Sequence, residues 1–175
     1  IRLLGYEGLR QATAMAILNA NYLKARFHDN YGVVYTGDRG FVGHEMILDC
    51  RGVKAQAGVD EGDISKRLMD FGYHAPTVSF PVHGTLMIEP TESESKAELD
   101  RFVAVMNQIY QEAQDIASGK ADAEDNVIKN APHPQYEVCA DEWHHAYTRQ
   151  QAAFALPYLE DNKFWVNVSR IDNGF

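Results

Sequence analysis

The chain has 175 residues, 45% hydrophobic and 23% charged, and 16 Lys and Arg against 25 Asp and Glu leave a net charge of −9. This describes a folded globular chain, one domain or one domain with an appendage, and excludes a disordered one. No apolar run approaches the roughly 20 residues that span a bilayer, and no Lys/Arg cluster offers the positive stripe that a phosphate backbone requires.

Cys50 and Cys139 are too few for a disulfide framework and have no C-x-x-C spacing, so both read as reduced structural thiols. Ile1 is not an initiator Met, and the helical pattern begins by Gly8 with no charged leader before it. The sequence therefore reads as a piece of something longer.

In chain order, Leu9, Ala12, Ala16, Ala20 and Leu23 recur at three and four residues, which predicts a helix over 9–30 stopped by Tyr31-Gly32. His28 would be a cation at its C-terminal end. Val33 to Thr36 and Phe41 to Cys50 read as two strands of a hairpin around Gly37-Asp38-Arg39-Gly40. On the second strand His44, Met46 and Leu48 share one face and Glu45, Ile47 and Asp49 the other. Asp60 with Asp63 three residues on is an N-cap signal for a short helix carrying Ile64, Leu68 and Phe71, with Gly72 as its stop. Extended runs follow at 73–80 and 85–88. Thr91 to Glu94 and Ser95 to Glu98 both have capping-box spacing. They precede a long amphipathic helix from Leu99 through Phe102, Val103, Met106, Ile109 and Ala113 to Ile116, ended by Ser118-Gly119. The order predicts an α+β domain over 1–118, a small and mostly antiparallel sheet covered by helices.

Residues 119–175 differ in character. Ala131-Pro132-His133-Pro134 cannot be helix interior, and one short helix is expected from Thr148, with Gln151 closing a capping box. Trp143, Tyr147, Phe154, Tyr158, Phe164 and Trp165 are too many rings for a loose linker. This loop-rich segment is expected to wrap over the domain or over a surface missing from the chain.

Few residues carry chemistry by themselves. Gly37, Gly40 and Gly43 match no phosphate-binding pattern and read as turn residues. The seven histidines form no H-E-x-x-H, and His144-His145 diverge on a regular element. Ser65, Ser93, Ser95 and Ser118 fall where caps explain them, and there is no G-x-S-x-G. Tyr73 to Glu94 is the exception, because His74, Thr77 and Ser79 alternate with Pro76 and Pro81. Such a stiff, donor-rich strand suits a pocket wall; it equally suits an edge strand guarded by prolines.

The run from His74 to Val82, then Gly84 to Glu94, closely resembles the C-terminal part of the glycine decarboxylase family, the P-protein of the glycine cleavage system. Ala20-Asn21-Tyr22, Tyr35-Thr36-Gly37, His44-Glu45, Leu48-Asp49 and Lys66 to Asp70 fit the same pattern. So do Lys129 to His133, Gln151 to Phe154, Lys163-Phe164-Trp165, Arg170, Asp172 and Asn173. Val166-Asn167 depart from it, since the family usually has proline after the tryptophan. The chain also stops at Gly174-Phe175, short of the paired cysteines that usually close this family.

The resemblance implies the small C-terminal domain of a fold-type I (aspartate aminotransferase-like) pyridoxal-phosphate enzyme. Such an enzyme decarboxylates glycine and passes the aminomethyl group to the lipoyl arm of the H-protein, the cofactor acting as electron sink. The family's Schiff-base lysine lies upstream in a Ser-Thr-His-Lys motif that is absent here. Lys24, Lys54, Lys66, Lys96, Lys120, Lys129 and Lys163 all read as solvent-exposed, so the fragment alone is expected to be inactive. The implied partners are the large domain, the H-protein and a second P-protein unit in a dimer, and no metal is expected. The implied location is bacterial cytoplasm, or the mitochondrial matrix if eukaryotic.

Within the chain, His74, Thr77 and Ser79 are the expected pocket wall, with Arg170 beside them because a small-domain arginine often pairs with substrate carboxylate in fold-type I enzymes. Decarboxylation, however, works against a tight clamp on that carboxylate. A structural pair of Arg170 with Asp172 or a main-chain carbonyl is the competing role. His44 and Glu45 are expected to pack between domains. Two other functions remain open on the sequence: the small domain of another fold-type I enzyme, and a non-catalytic partner-binding module.

Overall fold

The computed structural model describes residues 1–27 and 29–171. The expected roles of His28 and Asp172 lie outside them. The first helix, α1 (Gly5–Phe27), starts earlier and ends sooner than its apolar spacing predicts. Its stop is made at Phe27, whose carbonyl accepts from both Asn30 and Tyr31. The Tyr31 ring then packs edge-on against Phe27.

Among the described residues, four strands form one antiparallel sheet in the order β1-β2-β4-β3. They are β1 (Gly32–Val33), β2 (Met46–Asp49), β3 (Thr77–Val78) and β4 (Thr85–Ile88). The hairpin is present as a pairing, Gly32 opposite Asp49 and Val33 opposite Leu48, but its strands are much shorter than expected. Val34 N–H still donates to the Ile47 carbonyl at 2.9 Å, but residues 35–45 leave the ladder and bond elsewhere. Gly40 N–H donates to Gly37 and Gly37 N–H to Phe41, while Val42 is bound by a side chain of α1. The expected two-faced alternation is also absent, since Met46, Ile47 and Leu48 are all buried. β3 is short for a related reason. Pro76 and Pro81 supply no N–H, and between them Ser79 turns to φ +56°.

Helix α2 (Arg51–Ala57) has no counterpart in the sequence reading; it buries only Val53 and so carries almost no periodic signal. Helix α3 (Glu61–Asp70) follows the prediction closely. Asp63 N–H donates to the Asp60 carboxylate and Asp60 N–H to the Asp63 carboxylate, and Gly72 closes the helix at φ +80°. In α4 (Lys96–Ala117) the cap is Ser95, whose hydroxyl accepts from Glu98 N–H at 3.1 Å. Beyond it come α5 (Gln135–Val138), which the sequence does not announce, and α6 (Arg149–Ala153), which has the predicted Thr148–Gln151 capping box. A 3₁₀ turn at Pro157–Leu159 follows.

The chain forms two compact units. One comprises Ile1–Cys50 and Pro76–Ala104, and holds the sheet with α1 and the start of α4. Its core includes Leu23, Phe27, Leu48, Leu86 and Phe102. The other comprises Arg51–Ala75 and the described residues from Val105 onward. There the ring-rich segment folds onto its own unit: Tyr147 is buried, Phe154 meets Trp165 edge-on, and Tyr158 donates to the Phe71 carbonyl. Phe164 remains exposed. No described helix is long and apolar enough to cross a membrane.

Candidate functional site

In the sheet-bearing unit, the irregular stretch between β1 and β2 lines a groove of about 400 Å³. Its walls are Tyr35, Phe41 and Pro81, Met46 and Ile47 contribute apolar groups, and His44 and Glu45 contribute polar side chains. Asn21, on α1, fixes this shape. Its amide nitrogen donates to the Val42 carbonyl at 2.9 Å and its carbonyl accepts from Val42 N–H at 3.0 Å. Two residues earlier Asn19, 5% exposed, donates to the Thr91 carbonyl at 2.8 Å. The Asn19-Ala20-Asn21 run thus does for two loops what ladder pairing would otherwise do.

The predicted wall residues do not line this groove, although Pro81 of the same stiff segment does. Thr77 is exposed on edge strand β3, opposite Met87, and Ser79 is half-buried with its N–H on the Thr85 carbonyl. His74 is exposed and belongs to the other unit.

In that other unit each of the three nitrogens of the Arg170 guanidinium makes a hydrogen bond. Its Nε donates to Ala131 O at 3.0 Å, Nη1 to Asp63 Oδ1 at 2.7 Å and Nη2 to Ile128 O at 2.9 Å. Two of these partners are main-chain carbonyls and the third is the Asp63 carboxylate. Lys129 donates to the same carboxylate at 2.6 Å. Burial works to raise the Asp63 carboxyl, but the bonds from Lys129 and Arg170 prevail and hold it below the usual range.

Next to this clamp lies a buried polar core that sequence spacing does not reveal. Arg67 has no exposed side-chain surface, and all five of its N–H donors are used. Nε and Nη2 take the two oxygens of Glu112, Nη1 takes Asp70 and the Ala152 carbonyl, and Nη2 also takes the Gln151 carbonyl. Asp70 accepts from His133 through both backbone N–H and Nδ1, and His133 Nε2 meets the Tyr147 hydroxyl at 2.8 Å. The Asp–His–Tyr chain resembles a catalytic relay, yet His133 is 1% and Asp70 2% exposed. With no access for a substrate, the network holds residues 131–152 to α3.

The lysines correct the sequence reading in part. Lys54, Lys96 and Lys120 are exposed, but Lys24, Lys66, Lys129 and Lys163 are half-buried. Lys163 donates to the Asp70 carbonyl and lies over the Trp165 ring, and burial pushes its ammonium down to about 8. Lys96 is paired with Asp100 and Lys129 with Asp63. Pyridoxal phosphate needs a free lysine beside a cradle of phosphate donors and an acid for the ring nitrogen. The described residues bring no such set together, so the cofactor does not fit a site made by this chain alone.

These features define an α+β domain that presents a shaped groove and, in its second unit, a buried polar network that ties residues 131–152 to α3. The family model for the glycine dehydrogenase C-terminal domain matches residues 12–133, and the chain belongs to that family. It is 63% identical over 173 residues to a glycine dehydrogenase (decarboxylating) of Bacteroides fragilis, covering 99% of this chain and 18% of that protein. It is 55% identical over 175 residues to the protein of the same name from Bordetella avium, covering the whole chain and again 18% of the relative. A third, from Christiangramia forsetii, is 54% identical over 175 residues with the same coverage. The chain therefore spans about a fifth of the length of these relatives and corresponds to a C-terminal fragment of such an enzyme.

Proposed function

We propose that this chain acts as the fold-type I small domain of a pyridoxal-phosphate-dependent glycine decarboxylase. The whole protein would release CO2 from glycine and hand the aminomethyl group to the lipoyl arm of an H-protein. The observation that carries the reading is sequence identity of 54–63% along the entire chain to proteins named for that decarboxylation. The absence of a cofactor cradle among the described residues fits a domain that completes a site built elsewhere, so the fragment by itself is inactive. Residues 1–118 would supply the domain body and 119–175 the segment that secures it, in a dimer of full-length units in bacterial cytoplasm.

Within that arrangement His74, Thr77 and Ser79 are offered as a wall to the cofactor or lipoyl channel; His74 and Thr77 are exposed and Ser79 is half-buried. Arg170 contributes by holding Asp63, Ile128 and Ala131 together. The test uses full-length protein. Exchange of labelled bicarbonate into glycine should require both pyridoxal phosphate and lipoylated H-protein. Exchange that persists without either, or a borohydride-fixed pyridoxyl-lysine on the 175-residue fragment, would overturn the reading.

A further inference from the structure

We propose that the groove beneath residues 34–45 seats a segment of the same polypeptide from outside these 175 residues, one that carries a basic side chain between apolar ones. The inference rests on the chain being a fifth of its relatives' length, and not on the reaction assigned to it.

The two rings of the groove wall stand outside the unit's own core. Tyr35 is 60% and Phe41 63% exposed, and Phe80, next to the groove-lining Pro81, is 58% exposed. Exposed rings that share one groove, as Tyr35 and Phe41 do, mark an interaction surface. The groove is also preformed. Asn21 grips Val42 from both sides and the Gly37–Phe41 turn closes on itself, so an occupant would order little on arrival.

Charge selects the occupant. His44 Nε2 stands 3.8 Å from Glu89 and 4.0 Å from Glu45, both beyond hydrogen-bond length. The two carboxylate side chains are 53% and 41% exposed. An arriving guanidinium or ammonium would gain charge-assisted bonds from them while its flanking apolar groups cover Tyr35 and Phe41. Tethering selects the source, because a segment of the same polypeptide meets the groove at an effective concentration that a separate molecule must match in solution.

The test is a photo-reactive benzoylphenylalanine at Phe41 of the full-length protein, repeated at Tyr35, with cross-linked peptides identified by mass spectrometry. Mixed isotope-labelled and unlabelled protein separates adducts within one polypeptide from those between copies. The expected product from both positions is an adduct to a peptide of the same polypeptide outside these residues, with an Arg or Lys among apolar neighbours. The double change E45Q/E89Q should cut its yield about fivefold, the worth of a rim ion pair. Adducts confined to residues 1–175, joining two copies, formed with added H-protein alone, or insensitive to E45Q/E89Q would overturn the proposal, as would no adduct from either position.

Discussion

Arg67 meets Glu112 side-on, its Nε and Nη2 donating at 2.9 and 2.8 Å to the two oxygens of one carboxylate. The residues are 45 apart in sequence, and their side chains are 0% and 9% exposed. Burial opposes the Arg67 charge, but Glu112 first and Asp70 second keep the guanidinium protonated. Removing the arginine would leave Glu112 with no cationic partner and Asp70 with His133 alone. R67M should therefore destabilise the chain by about 3–5 kcal/mol, read as a fall in urea midpoint. R67M/E112L should recover part of that loss, because it removes the stranded charge along with its partner.

The His133 ring distinguishes its two nitrogens. Nδ1 faces the Asp70 carboxylate at 2.8 Å, so the network assigns the proton there and leaves Nε2 to accept from the Tyr147 hydroxyl. Burial pushes the Tyr147 phenol upward, which keeps the donor in place at neutral pH. Y147F preserves the edge-on packing of the two rings but leaves Nε2 unmet inside the protein. A loss of about 1–3 kcal/mol is expected, with a ¹⁵N shift at His133 Nε2 as the specific sign.

Asp63 and Asp70 give the fold an acid dependence of definite sign. Burial works to raise each carboxyl. Lys129 and Arg170 at Asp63, and His133 and Arg67 at Asp70, outweigh it and bring each below the ordinary 3.8. The unfolded chain then binds protons before the folded one does as pH falls. The stabilisation is present in full above 3.8 and is lost as pH drops through the lower folded values. Urea midpoints followed from neutral pH down through the carboxylate range should decline, and D63N should flatten part of that decline.

Local signals were legible in the sequence and long-range ones were not. The capping boxes of α3 and α6 depend on residues three apart, so Asp60–Asp63 and Thr148–Gln151 announce themselves. The hairpin was over-extended because Asn21, from a different element, replaces ladder bonds at Val42. The resemblance of Tyr73 to Glu94 points to the family, but no spacing rule can show that Arg170 Nη1 donates to Asp63, 107 residues away. A charged residue reads as surface until its partner is known, so the sequence alone places neither Arg67 in the interior nor Lys163 half-buried.

Lys163 should behave unlike the other lysines. Burial lowers its ammonium to about 8, against 10.5 for an ordinary lysine, with Asp70 opposing the shift and Arg67 adding to it. Between those two values the unfolded chain carries a proton that the folded chain lacks, so stability rises with pH across that window. The cost of burying the charge is borne in full below about 8. After ¹³C-reductive methylation, the Lys163 resonance should titrate near 8, whereas Lys96, raised mainly by its hydrogen bond to Asp100, should titrate above the ordinary range. K163M should abolish the rise in stability.

The grip of Asn21 on Val42 can be dissected by chemistry that changes one atom at a time. The amide suits both groups it faces, since Nδ2 donates to the Val42 carbonyl and Oδ1 accepts from Val42 N–H. N21A removes both partners and should release the Val42 amide to hydrogen exchange, loosening the 34–45 segment by about 1–3 kcal/mol. N21D keeps an acceptor for Val42 N–H but sets a second oxygen against the Val42 carbonyl. It should leave that amide more protected than N21A does, while still displacing the segment. A fluorescence reporter such as F41W should then respond to both variants, and to N21D with the Val42 amide still slow to exchange. If Val42 exchanges equally slowly in the parent and in N21A, the side chain is not what holds the groove open, and turn hydrogen bonding at Gly37 and Phe41 suffices.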